Sequence, residues 1–341
     1  MRPLRPARLA LTLFLVAAFS AVALVAQAAP GDLDTTFSGD GMRTLSFGPG
    51  ADSGREILAL AGGKLLVAGQ AQVGGTTRFG LARLRANGAL DTTFGGGDGR
   101  VVGPAGAAWG LVVNSAGAIV VAGQADPGLV AVARYTAAGA VDTTFGGGDG
   151  LALTGFGAGT TSIAYDVILV GGGKILVTGE VWNGVDYDLL LARYLASGAL
   201  DTTFGGGDGK VVVDFAGGDD GGFDLLLLPN GKFLVAGWAG VGGQTDPAVY
   251  RFTAAGALDT TFGGGDGVAR VNFSNGSDGG GRWCGCPTGG WCSPGTPGSV
   301  ATTTSSWRAS PRRASWTPPS VVETARRSST SPGTTSPATW P

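Results

Sequence analysis

The chain has 341 residues, of which 65 are Gly and none is His, and its 25 acidic residues slightly outnumber its 23 basic ones. Glycine is unfavourable inside helices, so this composition disfavours a helical fold. Without His, the chain can form neither a Ser-His-Asp triad nor a His-ligated zinc centre. Residues 30–281 carry a net charge of −10. This balance does not favour nucleic acid as a partner, because phosphates are bound by Lys and Arg.

Residues 1–28 have the pattern of a secretory signal peptide. Three Arg lie within residues 1–8, an apolar run covers residues 9–26, and Ala26-Gln27-Ala28 places small residues at a cleavage site. A membrane anchor of similar length is the alternative. No later stretch reaches the roughly 20 apolar residues that span a bilayer. We therefore expect a secreted, periplasmic or cell-surface protein with no membrane span after signal removal.

Residues 29–281 contain a repeated unit with three anchors. The string LDTTF or VDTTF ends at Phe37, Phe94, Phe145, Phe204 and Phe262, with spacings of 57, 51, 59 and 58 residues. A second anchor, G-[KA]-[ILF]-[LV]-V-[AT]-G, begins at Gly63, Gly117, Gly173 and Gly231. The third anchor is an Arg seven residues before the Leu or Val of the next string. Length differences fall between the anchors, which indicates loops there.

Each unit is predicted to contain four short strands. Residues 210–262 include the runs KVVVDF, FDLLLL, KFLVAGW and AVYRF, and a Pro-Asn-Gly hairpin signal separates the second run from the third. A four-stranded unit of 51–59 residues fits a propeller blade better than the shorter coil of a β-helix. We therefore predict an all-β propeller. The sequence leaves open whether the LDTTF string closes one blade or begins the next.

A hairpin with a fixed register is predicted between the third anchor and the next LDTTF string. In the loop Ala86-Asn87-Gly88 the glycine stands third, and the other units also have Gly there. A three-residue loop whose last residue is left-handed pairs the flanking residues directly. This register predicts one cross-strand ion pair per unit: Arg83–Asp91, Arg134–Asp142, Arg193–Asp201 and Arg251–Asp259.

The combination of LDTTFGGGDG with the G-K-[IL]-[LV]-V-[AT]-G strand resembles the delta-60 repeat family, a bacterial repeat assigned to β-propeller folds. The resemblance covers about residues 31–281. It implies a secreted or surface-associated protein with several blades. It implies no biochemical activity, because none is established for the family.

Residues 282–341 depart from the repeat and contain six Arg, five of the eight Trp and all three Cys. Their composition predicts a disordered, low-complexity segment. Another reading frame, however, permits LDTTF at residues 316–320, where the hidden Leu lies 58 residues after Leu258. We therefore expect that a one-base insertion or deletion near residues 279–285 scrambled a fifth unit, which leaves the propeller open or incomplete. Cys284, Cys286 and Cys292 lack the paired spacing of a metal or redox site.

Several segments invite a chemical interpretation. The GGGDG segments, with Asp98, Asp149, Asp208 and Asp266, lack the features of a phosphate loop or an EF-type calcium loop, so tight turns are expected and calcium is the alternative. The pairs Asp219-Asp220 and Asp186/Asp188 are candidates for glycoside hydrolysis by residue type only. Trp182, Tyr187 and Trp238 lie in or beside the variable loops.

These observations favour an exported, non-catalytic scaffold or binding module. Its unknown protein or carbohydrate ligand is expected on the variable loops, at residues 70–78, 124–129, 180–186 and 238–247. No catalytic, cofactor-binding or metal-binding residue is assigned. The alternatives are an extracellular hydrolase or lyase on a propeller, and a non-functional product of a damaged gene. Unique polar residues converging on the central channel would favour the enzyme.

Overall fold

The computed structural model describes residues 31–272, 276–278, 284–285 and 291–292. The chain divides into a unit Met1–Thr296 and a second unit Pro297–Pro341, and the second lies outside the described residues. The predicted signal peptide and the frameshift hypothesis for the tail also fall outside them, apart from two short strands described below. Within the described ranges the structure is all-β, apart from three-residue 3-10 turns at Ala61–Gly63, Gly95–Gly97 and Gly171–Gly173.

The first two blades share a long strand. The first blade contains β1 (Ser53–Ala59), β2 (Leu65–Val73), β3 (Thr76–Leu84) and the first half of β4 (Arg100–Val113). The second half of β4 begins the second blade, which continues with β5 (Ile119–Ala125), β6 (Leu129–Tyr135) and β7 (Leu151–Thr154). Neighbouring strands are antiparallel throughout.

The third and fourth blades are separate four-stranded sheets. The third contains β8 (Thr161–Val170), β9 (Lys174–Trp182), β10 (Tyr187–Tyr194) and β11 (Lys210–Val213). The fourth contains β12 (Gly221–Leu227), β13 (Phe233–Val241), β14 (Gln244–Phe252) and β15 (Val268–Arg270). Two-residue strands β16 (Cys284–Gly285) and β17 (Trp291–Cys292) pair with each other.

The prediction of four-stranded blades is confirmed, and the structure also settles where each blade ends. The run KVVVDF begins with β11, the last strand of the third blade, while the other three predicted runs supply β12, β13 and β14. Each of the last four LDTTF or VDTTF strings therefore connects the third strand of a blade to its fourth. No strand ladder among the described residues joins the first blade to the fourth, so the described array is open.

The predicted hairpin register is confirmed in all four blades. In the first, Leu84 bridges Leu90, and the Gly88 N–H donates to the Arg85 carbonyl at 2.9 Å. Gly88 has a φ of +79°, the left-handed conformation that closes this loop. The Nε–Oδ2 distances of the four Arg–Asp pairs are 2.9, 2.8, 2.7 and 2.7 Å in blade order.

A lysine joins three of these four ion pairs. Lys64, Lys174 and Lys232, each from the second anchor, approach the same carboxylate oxygen at 2.8, 2.7 and 2.7 Å. In the second blade Ala118 occupies this position, and Asp142 is 18% exposed where Asp201 is 2% exposed. The lysine therefore covers the carboxylate as well as neutralising it.

The phenylalanine of each LDTTF string links its blade to the next one. Phe94, Phe145 and Phe204 are fully buried. A β-carbon added at the hairpin glycine of the following blade would lie 2.7, 3.0 and 2.6 Å from these rings; the glycines are Gly139, Gly198 and Gly256. The Arg of the blade that carries the Phe also donates from Nη1 to a backbone carbonyl in this hairpin of the following blade, at 2.5 to 2.6 Å. Adjacent blades are thus held by the repeated residues themselves.

The two ends of the described array differ from its interior. Phe37 of the first LDTTF string packs against Gly88 of the first blade, just as the phenylalanines of the next three strings each pack against the hairpin glycine of the blade that follows. Residues 42–47 follow the first string at the position of a fourth strand, yet they form no strand in the described structure. At the other end Phe262 is only partly buried, and the described residues include no further blade to cover it.

Candidate functional site

Each blade carries a β-bulge at the same place in its first strand. The bulge lies between Gly54 and Glu56 in the first blade, and the other three blades have the equivalent irregularity. The extra residues at these bulges are Arg55, Trp109, Tyr165 and Phe223. A bulge re-aims one side chain without breaking the ladder, and bulges are common beside functional sites. These four residues differ from blade to blade, unlike the Arg, Asp, Phe and Gly that link the blades.

The four bulge residues, on the first strands, and Trp238, on the second strand of the fourth blade, form a continuous row that we call the aromatic row. The Arg55 guanidinium lies 4.0 Å from the Trp109 ring centroid. Trp109 and Tyr165 meet edge to face at 5.1 Å between ring centroids, and the Tyr165–Phe223 distance is 5.3 Å. Phe223 contacts Trp238 at 4.4 Å. Edge-to-face and tilted contacts at these distances are favourable for aromatic rings. All five side chains keep some exposure to solvent.

Carboxylates lie beside the aromatic row. The Tyr165 hydroxyl donates to Glu180 Oε1 at 2.7 Å, and burial raises the pKa of Glu180. Asp166 and Asp224 follow the bulge residues of the third and fourth blades. Burial and the neighbouring Asp224 carboxylate raise the pKa of Asp166 to about 7. Both Asp166 oxygens accept backbone N–H groups, from Val167 at 2.7 Å and from Leu225 at 2.8 Å, so the fold holds this carboxyl group in place behind the row.

The four predicted variable loops each join the second strand of a blade to its third. The segments that follow the fourth strands of the second and fourth blades pass beside them: the Ser162 N–H donates to the Gly128 carbonyl at 2.8 Å, and the Asp278 N–H to the Thr245 carbonyl at 2.9 Å. The bulges occur at this same end, since Ser53, at the start of β1, pairs with Gln70 near the end of β2. Loops, connections and bulge residues therefore lie at one end of each blade.

The predicted loop aromatics divide into two groups. Trp182 and Tyr187 pack against each other across the third loop, with ring centroids 5.0 Å apart. Trp238 instead belongs to the aromatic row. The sequence therefore identified one of the five residues of the row. The other four were missed because a bulge is produced by strand pairing and has no sequence signal of its own in a single chain.

The structure groups the candidate carboxylates differently from the pairs suggested by the sequence. One member of each pair, Asp188 and Asp220, lies in a group of three with Asp214. Asp219 accepts a hydrogen bond from the Tyr187 N–H at 3.1 Å, and Asp186 one from Asn183 at 2.6 Å. The two neighbouring pairs proposed for glycoside hydrolysis are thus not the units that the fold assembles.

The GGGDG segments form tight turns. In each of them the aspartate accepts a hydrogen bond from the N–H two residues later, at 2.9 to 3.0 Å. The first turn has Gly95 at φ +64° and Gly96 at φ +80°, conformations that favour glycine. None of these aspartates belongs to a three-residue group of possible metal ligands in the described ranges.

Comparison with known proteins gives a family match and weak structural similarities. Among curated proteins, no sequence matches the chain. A Dyadobacter fermentans protein of unknown function has a similar structure with a TM-score of 0.39 at 13% identity, covering 65% of each chain. A Bombyx mori GH32 beta-fructofuranosidase in complex with sucrose (TM-score 0.29, 14% identity) is covered over 44% of its length and 58% of this chain. The similarity to a Bacteroides ovatus glycosyl hydrolase (TM-score 0.28, 14% identity) covers 68% of that protein's length and 60% of this chain. The chain thus spans less than two thirds of the length of the first two proteins.

No helix in the described part of the chain is both long and apolar enough to cross a bilayer. Residues 63–94, 117–145, 173–204 and 228–262 match the family described as "Domain of unknown function (DUF5122) beta-propeller". Each match covers the second and third strands of one blade and the LDTTF or VDTTF string that follows. These four matches, one in every blade, support a β-propeller repeat in the described array.

Proposed function

We propose that this protein is an exported, non-catalytic binding module whose propeller presents the aromatic row to a carbohydrate. The observation that carries this proposal is that the bulge residue differs in every blade while the residues that link the blades are repeated. A purely structural propeller needs no such variation. In this proposal the repeats are of the delta-60 type, on the LDTTFGGGDG string, and export depends on residues 1–28.

A carbohydrate fits the chemistry of the aromatic row. Sugars present apolar C–H faces between hydroxyl groups, so they match partly exposed rings that have polar groups beside them. The Trp109, Tyr165 and Trp238 rings supply the apolar surface, while the partly exposed Glu180 beside the Tyr165 hydroxyl supplies an acceptor. The adjacent loops vary in length and sequence, which gives them a role in selecting the ligand.

The test is binding of the full chain to a panel of soluble polysaccharides by affinity electrophoresis, followed by calorimetry on any that retard it. We expect Trp109→Ala and Trp238→Ala each to weaken binding by about thirtyfold, or about 2 kcal/mol, the cost of truncating an aromatic hot spot. Leu153→Ala, at an exposed position in β7, is the control and should leave the affinity unchanged.

Equal retardation of all three variants, or retardation by none of the panel, would overturn the proposal. Release of reducing ends from the bound polysaccharide, lost in Asp166→Asn, would instead establish the hydrolase alternative. Export is tested separately by fractionating cells that express the chain with and without residues 1–28.

A further inference from the structure

Three carboxylates from three different segments meet at the loop end of the third blade. Asp188 is the second residue of β10, Asp214 directly follows β11, and Asp220 directly precedes β12. One oxygen of each lies within 4.8 Å of an oxygen of both others. Asp188 is 5% exposed and Asp220 is fully buried, while Asp214 reaches solvent. Three negative charges this close repel one another strongly unless a proton or a cation intervenes.

One of these buried carboxylates is not satisfied by the protein. Asn183 Nδ2 donates to Asp188 Oδ2 at 2.9 Å, whereas Asp188 Oδ1 has no hydrogen-bond donor in the described structure. A buried carboxylate oxygen without a partner is costly, so a water or a cation is expected beside it. Burial raises the pKa of Asp188, and the Asp214 and Asp186 charges add to this effect. No salt bridge within the described ranges includes any of the three carboxylates.

Asp220, by contrast, is held in place by the fold. Its carboxylate accepts hydrogen bonds from the N–H groups of Phe215 and Gly240 and from the Tyr250 hydroxyl, at 2.5, 3.2 and 3.1 Å. Burial raises its pKa to about 7, and Asp214 adds to the increase. The first blade has an equivalent in Asp52, which accepts from the N–H groups of Phe47 and Gln72. The fold therefore fixes the position of the Asp220 carboxylate within the group of three.

In the fourth blade, an arginine neutralises the carboxylate that corresponds to Asp188. Fifty-eight residues after Asp188, Asp214 and Asp220 stand Asp246, Asn272 and Asp278. There Arg270 Nη2 lies 2.6 Å from Asp246 Oδ2, and Asn272 Nδ2 donates to the same oxygen at 3.3 Å. The residue of the third blade that corresponds to Arg270 is Val212, which is 47% exposed. The third blade thus lacks the internal cation that the fourth blade has.

We propose that Asp188, Asp214 and Asp220 bind a calcium ion, which takes the place that Arg270 fills in the fourth blade. The donors are all carboxylate oxygens, which suit hard cations, and no sulfur or imidazole is among them. Calcium accepts irregular oxygen shells, whereas magnesium demands near-octahedral geometry, so ligands from three separate segments favour calcium. The ion joins the last strand of the third blade to the first strand of the fourth.

The test is calcium binding by the chelator-treated full chain, measured by calorimetry and by thermal unfolding in CaCl2, MgCl2 or EDTA. We expect saturable calcium binding, a melting temperature that rises with calcium, and a smaller rise with magnesium at the same concentration. Asp214→Asn should weaken calcium binding by at least about tenfold, because it removes one ligand charge. Since Asp214 is exposed, this variant should still fold in EDTA.

Two further variants complete the experiment. Val212→Arg copies the fourth blade, so it should raise the melting temperature in EDTA and abolish the response to calcium. Asp208→Asn removes an exposed acid from a GGGDG turn and should leave the response unchanged. The proposal is overturned if millimolar calcium changes neither heat nor melting temperature, or if Asp214→Asn responds like the parent chain. It is also overturned if Asp208→Asn loses the response.

Discussion

The ring of Phe145 lies 3.0 Å from the point that a β-carbon would occupy on Gly198, in the hairpin of the next blade. Gly198 has a φ of +90°, and its N–H closes the hairpin on the Leu195 carbonyl at 2.9 Å. The glycine thus shapes its own blade's turn and also leaves room for the preceding blade's ring. One residue type therefore connects local turn chemistry to the packing of blades.

Gly198→Ala is predicted to destabilise the fold by more than the cost of a left-handed alanine. The backbone strain costs about 1 kcal/mol, and crowding of Phe145 adds about 1–3 kcal/mol. Gly147→Ala is the matched control, because Gly147 has a φ of +83° and nothing within 4 Å of its added β-carbon. Urea unfolding measures both, and equal losses in the two variants would show that the Phe145 contact carries no energy.

Phe145→Ala is predicted to cost about 3–5 kcal/mol of unfolding free energy, as for other fully buried phenylalanines. Phe262→Ala should cost clearly less, since Phe262 is only partly buried at the end of the described array. Both rings sit under the Arg of their own hairpin, at 4.8 and 4.6 Å, so that contact is matched. Equal costs in chemical unfolding would contradict the assignment of Phe262 to an exposed end.

Asp201→Asn is predicted to destabilise the third blade by about 3–5 kcal/mol, because it leaves the partly buried Arg193 and Lys174 without their shared carboxylate. Asp142→Asn should cost less, because only Arg134 loses its partner there. Ala118→Lys should raise the melting temperature by supplying the missing lysine. Its effect should disappear in the Asp142→Asn background, and a gain that persists there would rule out the ion pair as its cause.

Acid should destabilise the fold through the same aspartates. The Lys64 and Lys232 hydrogen bonds hold the pKa values of Asp91 and Asp259 well below their ordinary range. Carboxylates with lowered pKa values contribute stability above their unfolded-state pKa and lose it as the pH falls through the folded-state pKa. Unfolding free energy is therefore expected to fall below about pH 4. Asp259→Asn should flatten that fall, and an unchanged acid limb in chemical unfolding would contradict this explanation.

Asp166 should produce the opposite dependence at higher pH. Its pKa is raised to about 7, so the folded state binds more protons than the unfolded state between about pH 4 and about pH 7. Stability should therefore decline across that interval as the pH rises. Asp166→Asn keeps an acceptor for the Leu225 N–H and should remove the decline, being more stable than the parent above pH 7. A parallel pH profile in the two proteins would show that Asp166 does not titrate there.

The predicted reading-frame change is tested directly on the gene. Sequencing across codons 279–285 should reveal a one-base insertion or deletion. In a chain with the frame restored, Phe262 should become buried and Phe262→Ala should then cost as much as Phe145→Ala. An intact frame, with a genuine stop after Pro341, would refute the hypothesis.

The sequence by itself determined the local structure of a single blade. The recurring LDTTF string, the glycine-closed hairpin and the Arg–Asp register are local patterns within about sixty residues, and backbone chemistry specifies them without reference to other blades. The four predicted ion pairs follow from this locality. The sequence left open where each blade begins, since a strand run does not reveal which neighbour it pairs with; the structure places the KVVV of this run in β11, the last strand of the third blade.

Only the tertiary structure decided the places where ligands are proposed to bind. The bulges depend on how the first strand pairs with the second, and the aromatic row exists because four blades set those bulges side by side. Asp188, Asp214 and Asp220 come from segments up to 32 residues apart and meet only where one blade turns into the next. A repeat encodes its own hydrogen bonds, but the meeting of unlike residues from different blades depends on long-range packing that no single unit contains.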